Sequence, residues 1–176
     1  MTNDRSPSLP LELRATRVAD FETLYAIDQV CYAPAIAYTR AELRSYLGMR
    51  GAQCMVAEIH ALHEGASSRP RIAGFVLGVS RNAHGHIVTI DVLEMYRRAG
   101  VGSALLQSVE SKMARDSVTD VWLETATNNE PAIAFWKKHG YRSHRRLPHY
   151  YADGVDALSM SKTLVHADPV PAKIED

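Results

Sequence analysis

The segment Arg97-Arg98-Ala99-Gly100-Val101-Gly102-Ser103-Ala104-Leu105 directly follows an apolar, β-prone run and opens a run with helical periodicity. Gly100 and Gly102 allow a tight turn and let a ligand approach the main chain closely. The first N–H groups of a helix have no partner inside the helix and carry the positive end of its dipole, so they suit a phosphate. The arginine pair adds positive charge. The segment therefore predicts an anion site between a strand and a helix.

The neighbouring residues exclude two common phosphate motifs. The dinucleotide fingerprint GxGxxG requires a third glycine where Leu105 stands, and the P-loop pattern GxxxxGK[ST] is absent. The segment instead has the pattern R/Q-x-x-G-x-G/A, and in this it resembles the pyrophosphate-binding loop of the GNAT acyl-CoA N-acetyltransferases. Taken alone, the same pattern also describes a glycine-rich turn with a solvated arginine pair.

A second region resembles the same family. It comprises WLE at 122–124, Asn129, and AIAFWKKHGY at 132–141. The family pattern is a strand that ends in Glu, a short loop, and then N-x-x-A-x-x-[FL]-Y-x-x-x-G-[FY]. The order and spacing are most similar to the RimI-type subgroup, which acetylates the α-amino group of a protein N-terminus. Residues 150–160 resemble that subgroup's closing hairpin, and the resemblance covers about residues 11–164.

The hydrophobic periodicity predicts a mixed α/β fold with the order strand, two helices, three strands, helix, strand, helix, two strands. The resemblance implies a single GNAT-like domain. Its sheet would be mixed but mostly antiparallel, with six to seven strands, about four helices and a splayed central strand pair. The predicted strands are 11–17, 53–60, 71–80, 86–93, 118–124, 141–146 and 156–163, and the predicted helices are 20–31, 39–49, 100–115 and 129–139.

Local signals support the first two helices. Asp20 is a candidate helix cap, and Leu24, Ile27 and Val30 have helical spacing. Thr39 followed by Glu42 is the signature of a capping box at the start of the second helix.

The length and composition predict one globular domain. The chain has 176 residues, of which 46% are hydrophobic and 23% charged. We expect flexible tails at 1–10 and 165–176, an N-acetyltransferase domain at 11–164, and an exposed hairpin loop at 62–70. The absence of an apolar leader in the first ten residues favours a cytoplasmic protein. We expect the chain to be a monomer or a homodimer.

The charge balance and the cysteines exclude several partners. Lys and Arg number 20, as do Asp and Glu, so the formal net charge is +0 and nothing attracts the chain to nucleic acid or an anionic membrane. We predict no metal site, because His84 and His86 share a strand face without a third ligand nearby in sequence. Cys31 and Cys54 are expected to be reduced, buried thiols.

The resemblance implies that the co-substrate is acetyl-CoA and assigns residues to its parts. The strand backbone at Ile90–Val92 would pair with the pantetheine arm, and the N–H of Val92 or Leu93 would face the thioester carbonyl. Asn129, which is also a candidate helix N-cap, would contact the CoA arm, and Trp136 would face the same cleft. The implied cofactor-binding residues are Ile90, Asp91, Val92, Arg97, Arg98, Ala99, Gly100, Val101, Gly102, Ser103, Asn129 and Trp136.

The resemblance also implies that Glu124 is the catalytic general base, acting directly or through a water molecule. Asp91 is a lesser candidate, because an acidic residue inside the strand IVTIDV is unusual. Trp136 stands where the family usually has the Tyr that protonates the departing thiolate, and an indole N–H is no useful acid. Water, Tyr141 or the tyrosine pair at 150–151 remain alternative proton donors.

The resemblance implies that the acceptor lies between two loops, which here carry Tyr32, Tyr38, Tyr150 and Tyr151. A peptide or protein N-terminus is favoured over a polyamine, because these loops hold no acidic cluster. Another small amine remains an alternative acceptor, as does a module that binds acyl-CoA without turnover. A nucleic-acid binder using Arg97, Arg98 and Arg142–Arg146 is disfavoured by the neutral net charge.

Overall fold

The computed structural model describes residues 10–60 and 70–164. Its strands are β1 (Leu11–Ala15), β2 (Ala52–Ile59), β3 (Arg71–Arg81), β4 (His84–Val92), β5 (Asp120–Ala126), β6 (Arg142–Leu147) and β7 (Ala157–Thr163). Its helices are α1 (Phe21–Cys31), α2 (Arg40–Leu47), α3 (Val101–Arg115) and α4 (Glu130–Lys138). The predicted α/β class and element order are confirmed. The predicted tails and the predicted loop at 62–70 lie almost entirely outside the described residues.

One seven-stranded sheet runs in the order β1-β2-β3-β4-β5-β7-β6. Its strand pairs are antiparallel except for β4 and β5, which are parallel and pair only through His84–Asp120, Gly85–Val121 and His86–Trp122. Beyond these pairs the two strands diverge, which confirms the predicted splay. We call the gap between residues 87–92 and 123–126 the notch.

The sheet is covered on both faces. On one face, α3 places the predicted stripe Val101, Leu105, Val109 and Met113 in a core that also holds Trp136 of α4. On the other face, α1 and α2 bury Leu24, Ile27 and Leu43 against Val56, Phe75 and Leu77. Each helix pair therefore supports the sheet from its own side, and the notch opens between them.

A bulge in β4 changes which side chains face α1. Thr89 pairs with Leu77 and Ile87 pairs with Gly78, so Val88 is the extra residue. As a consequence, Ile87 and Ile90 both pack on the α3 side, whereas Val88 packs on the α1 side. Polar residues can thus lie on the α1 side of the strand at the notch.

Several local predictions need correction. Val30 is 72% exposed, because the buried stripe of α1 continues from Leu24 and Ile27 to Asp28 instead. Asp20 occupies the N-cap position of α1, but its side chain makes no capping bond there and accepts from the N–H of Arg17 at 2.6 Å.

The capping box of α2 is confirmed, since Thr39 Oγ1 accepts from the N–H of Glu42 at 3.2 Å and the Glu42 carboxylate accepts from the N–H of Thr39 at 2.8 Å. No helix in the described ranges has the length and apolar character that crossing a membrane requires.

Candidate active site

The notch opens into a cleft of about 820 Å³ between the two helix pairs. β4 and β5 form its floor, and the N-terminus of α3, helix α4 and the loops α1–α2 and β6–β7 form its walls. Of the predicted site residues, only Ala99 and Val101 do not line it. The predicted residues that line it are Tyr32, Tyr38, Ile90, Asp91, Val92, Arg97, Arg98, Gly100, Gly102, Ser103, Glu124, Asn129, Trp136, Tyr150 and Tyr151.

The N-terminus of α3 has the geometry of an anion site. Gly100 is the N-cap with a φ of 84°, a left-handed conformation that glycine adopts without strain. The first intrahelical bond runs from the N–H of Ala104 to the Gly100 carbonyl at 3.0 Å, so the N–H groups of Val101, Gly102 and Ser103 lie in the unpaired first turn. Val101 buries its side chain in the core and offers only this N–H. The loop therefore fits a diphosphate.

The side chains beside this loop limit its space. A Cβ on Gly102 would lie 3.4 Å from a ring carbon of Phe135, so glycine keeps the first turn of α3 open toward α4. Ser103 Oγ is 3.0 Å from His139 Nε2 at the end of α4. Arg97 donates from Nε to the Val92 carbonyl at 2.8 Å, and this bond ties the loop to the end of β4.

The open edge of β4 is bound by the end of α1 and the loop that follows it. The N–H of Leu93 donates to Ala73 of β3 at 2.9 Å, and antiparallel bonding alternates along a strand, so the backbone groups of Val88, Ile90 and Val92 face the notch. Three side chains reach these carbonyl oxygens: Cys31 Sγ at 3.5 Å from Val92, Tyr32 at 3.2 Å from Ile90, and Tyr38 at 3.2 Å from Val88. Tyr32 and Tyr38 therefore anchor the loop on β4, and their contact with an acceptor stays a prediction.

Glu124 lies across the notch in β5 and has a partner that the sequence analysis missed. His86 Nε2 is 2.8 Å from Glu124 Oε2. The imidazole also stacks on Trp122, with ring centroids 5.1 Å apart and planes 17° apart. Both members of the pair are half-buried and line the cleft, so the Glu124 carboxylate is held in one position at the notch. The sequence alone indicates His86 only as a possible metal ligand.

Aromatic side chains from three separate elements form the wall around Glu124. Tyr150 and Tyr151 pack edge to face at 5.1 Å, and Tyr38 packs in the same way on Tyr46 of α2 at 5.4 Å. Burial raises the pKa of both Tyr150 and Tyr151, and the Glu124 charge raises them further. These hydroxyls are therefore neutral donors. The sequence analysis did not identify Tyr46, because nothing in its local sequence distinguishes it from a core residue.

On α4, two predicted residues combine structural and cleft-lining positions. Asn129 caps the helix by accepting from the N–H of Ala132 at 3.2 Å, and it also lines the cleft. Trp136 is 5% exposed and packs edge to face on Phe135 and Tyr141. The Tyr141 hydroxyl donates to Glu110 at 2.9 Å, and Tyr141 does not line the cleft. Tyr141 is therefore not placed to protonate a departing thiolate.

Potential metal ligands do not gather at the cleft within the described ranges. Glu12, Glu58 and His60 bring ligand atoms within 4.8 Å of one another on β1 and at the end of β2. Arg14 already binds Glu58, and His60 Nε2 is 2.9 Å from Glu12. These contacts explain the cluster as ion pairing.

The comparison with known families agrees with this geometry. Residues 21–141 match the acetyltransferase (GNAT) family, and the chain belongs to that family. The resemblance that the two sequence motifs indicated is thereby confirmed.

Curated relatives are similar to about half of the chain. The chain is 47% identical over 81 residues to an N-alpha-acetyltransferase of Sulfurisphaera tokodaii. The aligned residues cover 46% of this chain and 48% of that protein. It is 32% identical over 96 residues to the catalytic subunit NAA20 of the N-terminal acetyltransferase B complex of Arabidopsis thaliana, over 53% of this chain and 54% of that protein. The chain thus spans about half the length of the curated relatives it matches.

Solved structures are similar over most of the chain. Ard1 from Thermoplasma volcanium has a TM-score of 0.75 and 29% identity, covering 88% of this chain and 98% of that one. The ribosomal-protein-S18-alanine N-acetyltransferase from Escherichia coli has a TM-score of 0.74 and 21% identity, covering 89% of this chain and 96% of that one. The second similarity supports the fold alone.

Proposed function

We propose that this chain transfers the acetyl group of acetyl-CoA to the α-amino group of a peptide or protein N-terminus. The observation that carries the proposal is the position of Glu124, whose carboxylate borders the notch that leads to the anion site at α3. The similarity to proteins named N-alpha-acetyltransferases supports this choice of acceptor.

The residues of the cleft take four proposed roles. The unpaired N–H groups of α3 hold the diphosphate, with Arg97 and Arg98 adding positive charge. The edge of β4 at Ile90–Val92 offers backbone groups to the pantetheine arm, in the manner of an adjacent strand. Asn129 and Trp136 form the opposite wall. The N–H of Leu93 donates to the Ala73 carbonyl at 2.9 Å, so of the two groups expected to face the thioester only that of Val92 is proposed to stabilise the negative charge that develops on its oxygen.

In the proposed reaction, the amine nitrogen attacks the thioester carbon, the C–S bond breaks and the sulfur leaves as a thiolate. The proton lost by the amine passes to Glu124, directly or through one water molecule. An α-amino group has a pKa of about 8, against about 10.4 for lysine, so a carboxylate base suffices for the former. A thiol pKa near ~8.5 makes the thiolate a tolerable leaving group. The neutral hydroxyls of Tyr150 and Tyr151 are candidate hydrogen-bond donors to this thiolate.

The test is a transfer assay with labelled acetyl-CoA and a peptide library. Each sequence is supplied with a free N-terminus and also in an N-blocked form that carries an internal lysine, and mass spectrometry locates the label. We expect label on free N-termini and release of one thiol per acetyl group. Label confined to lysines would overturn the assignment of the acceptor.

A binding measurement separates the enzyme from a non-catalytic module. Acetyl-CoA binding that is measured without any thiol release across the library would refute catalysis while leaving the anion site intact. The matched control is the wild-type protein with CoA in place of acetyl-CoA, which binds and yields no product.

A further inference from the structure

A chain of hydrogen bonds joins a buried carboxyl group of β4 to the loop that covers the cleft. Asp91 Oδ1 lies 2.8 Å from Thr89 Oγ1, and Thr89 Oγ1 lies 3.2 Å from the Tyr32 hydroxyl. The Tyr32 hydroxyl lies 3.2 Å from the Ile90 carbonyl oxygen at the edge of the notch. The β4 bulge makes this chain possible, because it turns Thr89 and Asp91 toward α1.

A count of hydrogens determines the protonation state that completes the chain. Three hydrogen bonds require three hydrogens, of which Thr89 and Tyr32 supply one each. The Ile90 carbonyl only accepts. If Asp91 is ionised, it accepts the hydrogen of Thr89, and Tyr32 is left with a single hydrogen for two acceptors, so one bond is lost. If Asp91 is a carboxylic acid, every bond has its donor, in the order Asp91 to Thr89 to Tyr32 to Ile90.

The surroundings of Asp91 favour the neutral form. Its side chain is 1% exposed, and Oδ2 has no hydrogen-bond partner among the residues that the structure describes. Burying an ionised carboxylate whose second oxygen has no hydrogen-bond partner costs a large free energy. Burying a neutral carboxylic acid in the same place costs much less. Burial raises the pKa of Asp91 to about 7 and the charge of Asp28 acts in the same direction, while hydrogen bonds from Thr89 and Tyr32 and the charge of Arg97 lower it without offsetting burial. The titratable and charged groups that face Asp91 are Asp28 and Cys31 of α1, Tyr32 of the loop, Cys54 of β2 and Arg97 after β4.

We propose that Asp91 is a positioning residue that works as a neutral carboxylic acid, whose proton completes the chain and fixes Tyr32 against the open edge of β4. This inference rests on the proposed function, because the loop that begins at Tyr32 forms the acceptor side of the cleft. Loss of the proton removes one bond of the chain and loosens that wall. Acceptor binding is then tighter below the pKa of Asp91 than above it.

The first experiment requires no activity. Asp91→Asn keeps the shape and offers an N–H to Thr89 at every pH. Native Asp91 retains a proton that the unfolded chain releases. The native state therefore loses stability as pH rises. We expect the unfolding equilibrium constant of the wild type to rise between pH 5 and pH 8 by at least about tenfold more than that of Asp91→Asn. Parallel curves for the two proteins would overturn the protonated state.

Thr89 provides a matched pair of control variants. Thr89→Ser keeps the middle hydroxyl of the chain. In this background, the pH dependence of unfolding should still differ between proteins with Asp91 and with Asp91→Asn. Thr89→Val breaks the chain, so at pH 8.5, where Asp91 of the wild type has lost its proton, adding Asp91→Asn to it should change acceptor binding far less than in the wild type. An equal effect of Asp91→Asn in both backgrounds would show that Asp91 does not act through Thr89.

The second experiment asks whether the chain positions the acceptor. The KM for peptide is measured from pH 6 to pH 8.5 for the wild type and for Asp91→Asn, with the Kd for acetyl-CoA as the internal reference. We expect the ratio of the two KM values, wild type over variant, to rise several-fold through the pKa of Asp91. A constant ratio would refute the positioning role even where unfolding confirms the proton. Absence of turnover in every protein would instead refute the proposed function and leave the unfolding result standing.

Discussion

At the scale of single residues, the pair formed by Glu124 and His86 decides where a base can act. The carboxylate is bound at 2.8 Å by an imidazole that is itself stacked on Trp122. A base that is held in one rotamer removes a proton without first losing side-chain entropy. In the proposed reaction, the acceptor amine would therefore approach Glu124 from the tyrosine-lined side of the cleft.

Replacing Glu124 by Gln should lower kcat by about 10²–10⁴-fold, because the amide cannot accept the amine proton. The Kd for acetyl-CoA should change little. The loss should shrink as pH rises, since a larger fraction of the acceptor is already the free amine. Stopped-flow or steady-state thiol release measures kcat, and Glu130→Gln, an exposed carboxylate at the start of α4, is the matched control. An unchanged kcat at neutral pH removes Glu124 from the mechanism.

Gly102 tests the anion site. Gly102→Glu places a carboxylate in the first turn of α3, where it competes with a diphosphate for the same N–H groups and repels it. We expect acetyl-CoA binding to weaken at least about 100-fold, the scale of a direct clash with a charge-assisted site. Gln107→Glu adds the same charge to an exposed position of the same helix and should bind normally. Isothermal titration of both variants decides the matter, and normal binding by Gly102→Glu would place the diphosphate elsewhere.

At the scale of elements, an ion cluster fixes β1 to its neighbours. The guanidinium of Arg14 binds Asp20, before α1, at 2.7 Å and Glu58 of β2 at 2.5 Å, with all three side chains mostly buried. The hydrogen bond from Arg14 holds the pKa of Asp20 below its usual value against the opposing effect of burial. Arg14 therefore joins the edge strand both to β2 and to the segment before α1.

Arg14→Met should lower the free energy of unfolding at pH 7 by about 1–3 kcal/mol, because it leaves two carboxylates without their counter-charge. A carboxylate with a lowered native pKa stabilises the fold above its unfolded pKa and loses that effect as pH falls. The gap between wild type and variant should therefore narrow as pH falls below about 4 and through the lowered pKa of Asp20. Urea unfolding measures the difference in free energy of unfolding between the two proteins, with Arg81→Met at an exposed position as the control. A gap that widens in acid would contradict the assignment.

The same scale shows what could be predicted from the sequence. The stripe of α3 and the glycine loop are local patterns, so periodicity and spacing were sufficient to predict them. The pairing of His86 with Glu124 depends on the register between β4 and β5, which no local pattern specifies. The polar chain behind Asp91 depends on the bulge at Val88, and a bulge has no signature in a β-branched run. Periodicity thus predicted the stripe of α3 but not the exposure of Val30, and the two side-chain contacts of the site depend on how the elements meet.

At the scale of the whole molecule, the strand pair at the centre of the sheet, β4 and β5, is joined over only a short length. β4 and β5 share only three residue pairs, so the part from β1 to β4 is joined to the part from β5 to β7 mainly through the core under α3. A ligand that lies in the notch would contact both parts. It would also cover the backbone groups of Val88, Ile90 and Val92 that face the gap.

Acetyl-CoA binding should therefore stabilise the molecule unevenly. At a concentration of 100 times Kd, a ligand that binds only the native state adds about 2.7 kcal/mol to the free energy of unfolding, which corresponds to a Tm rise of roughly 5–10 °C for a domain of this size. Hydrogen exchange should slow most in peptides covering residues 87–93 and 99–104, because these carry the amides at the notch edge and in the first turn of α3. Strand β2, which lies away from the notch, is the internal reference, and Gly102→Glu should show no ligand-dependent protection. Protection that is spread evenly over the sheet, or that centres on β6 and β7, would mean that the ligand does not lie between β4 and β5.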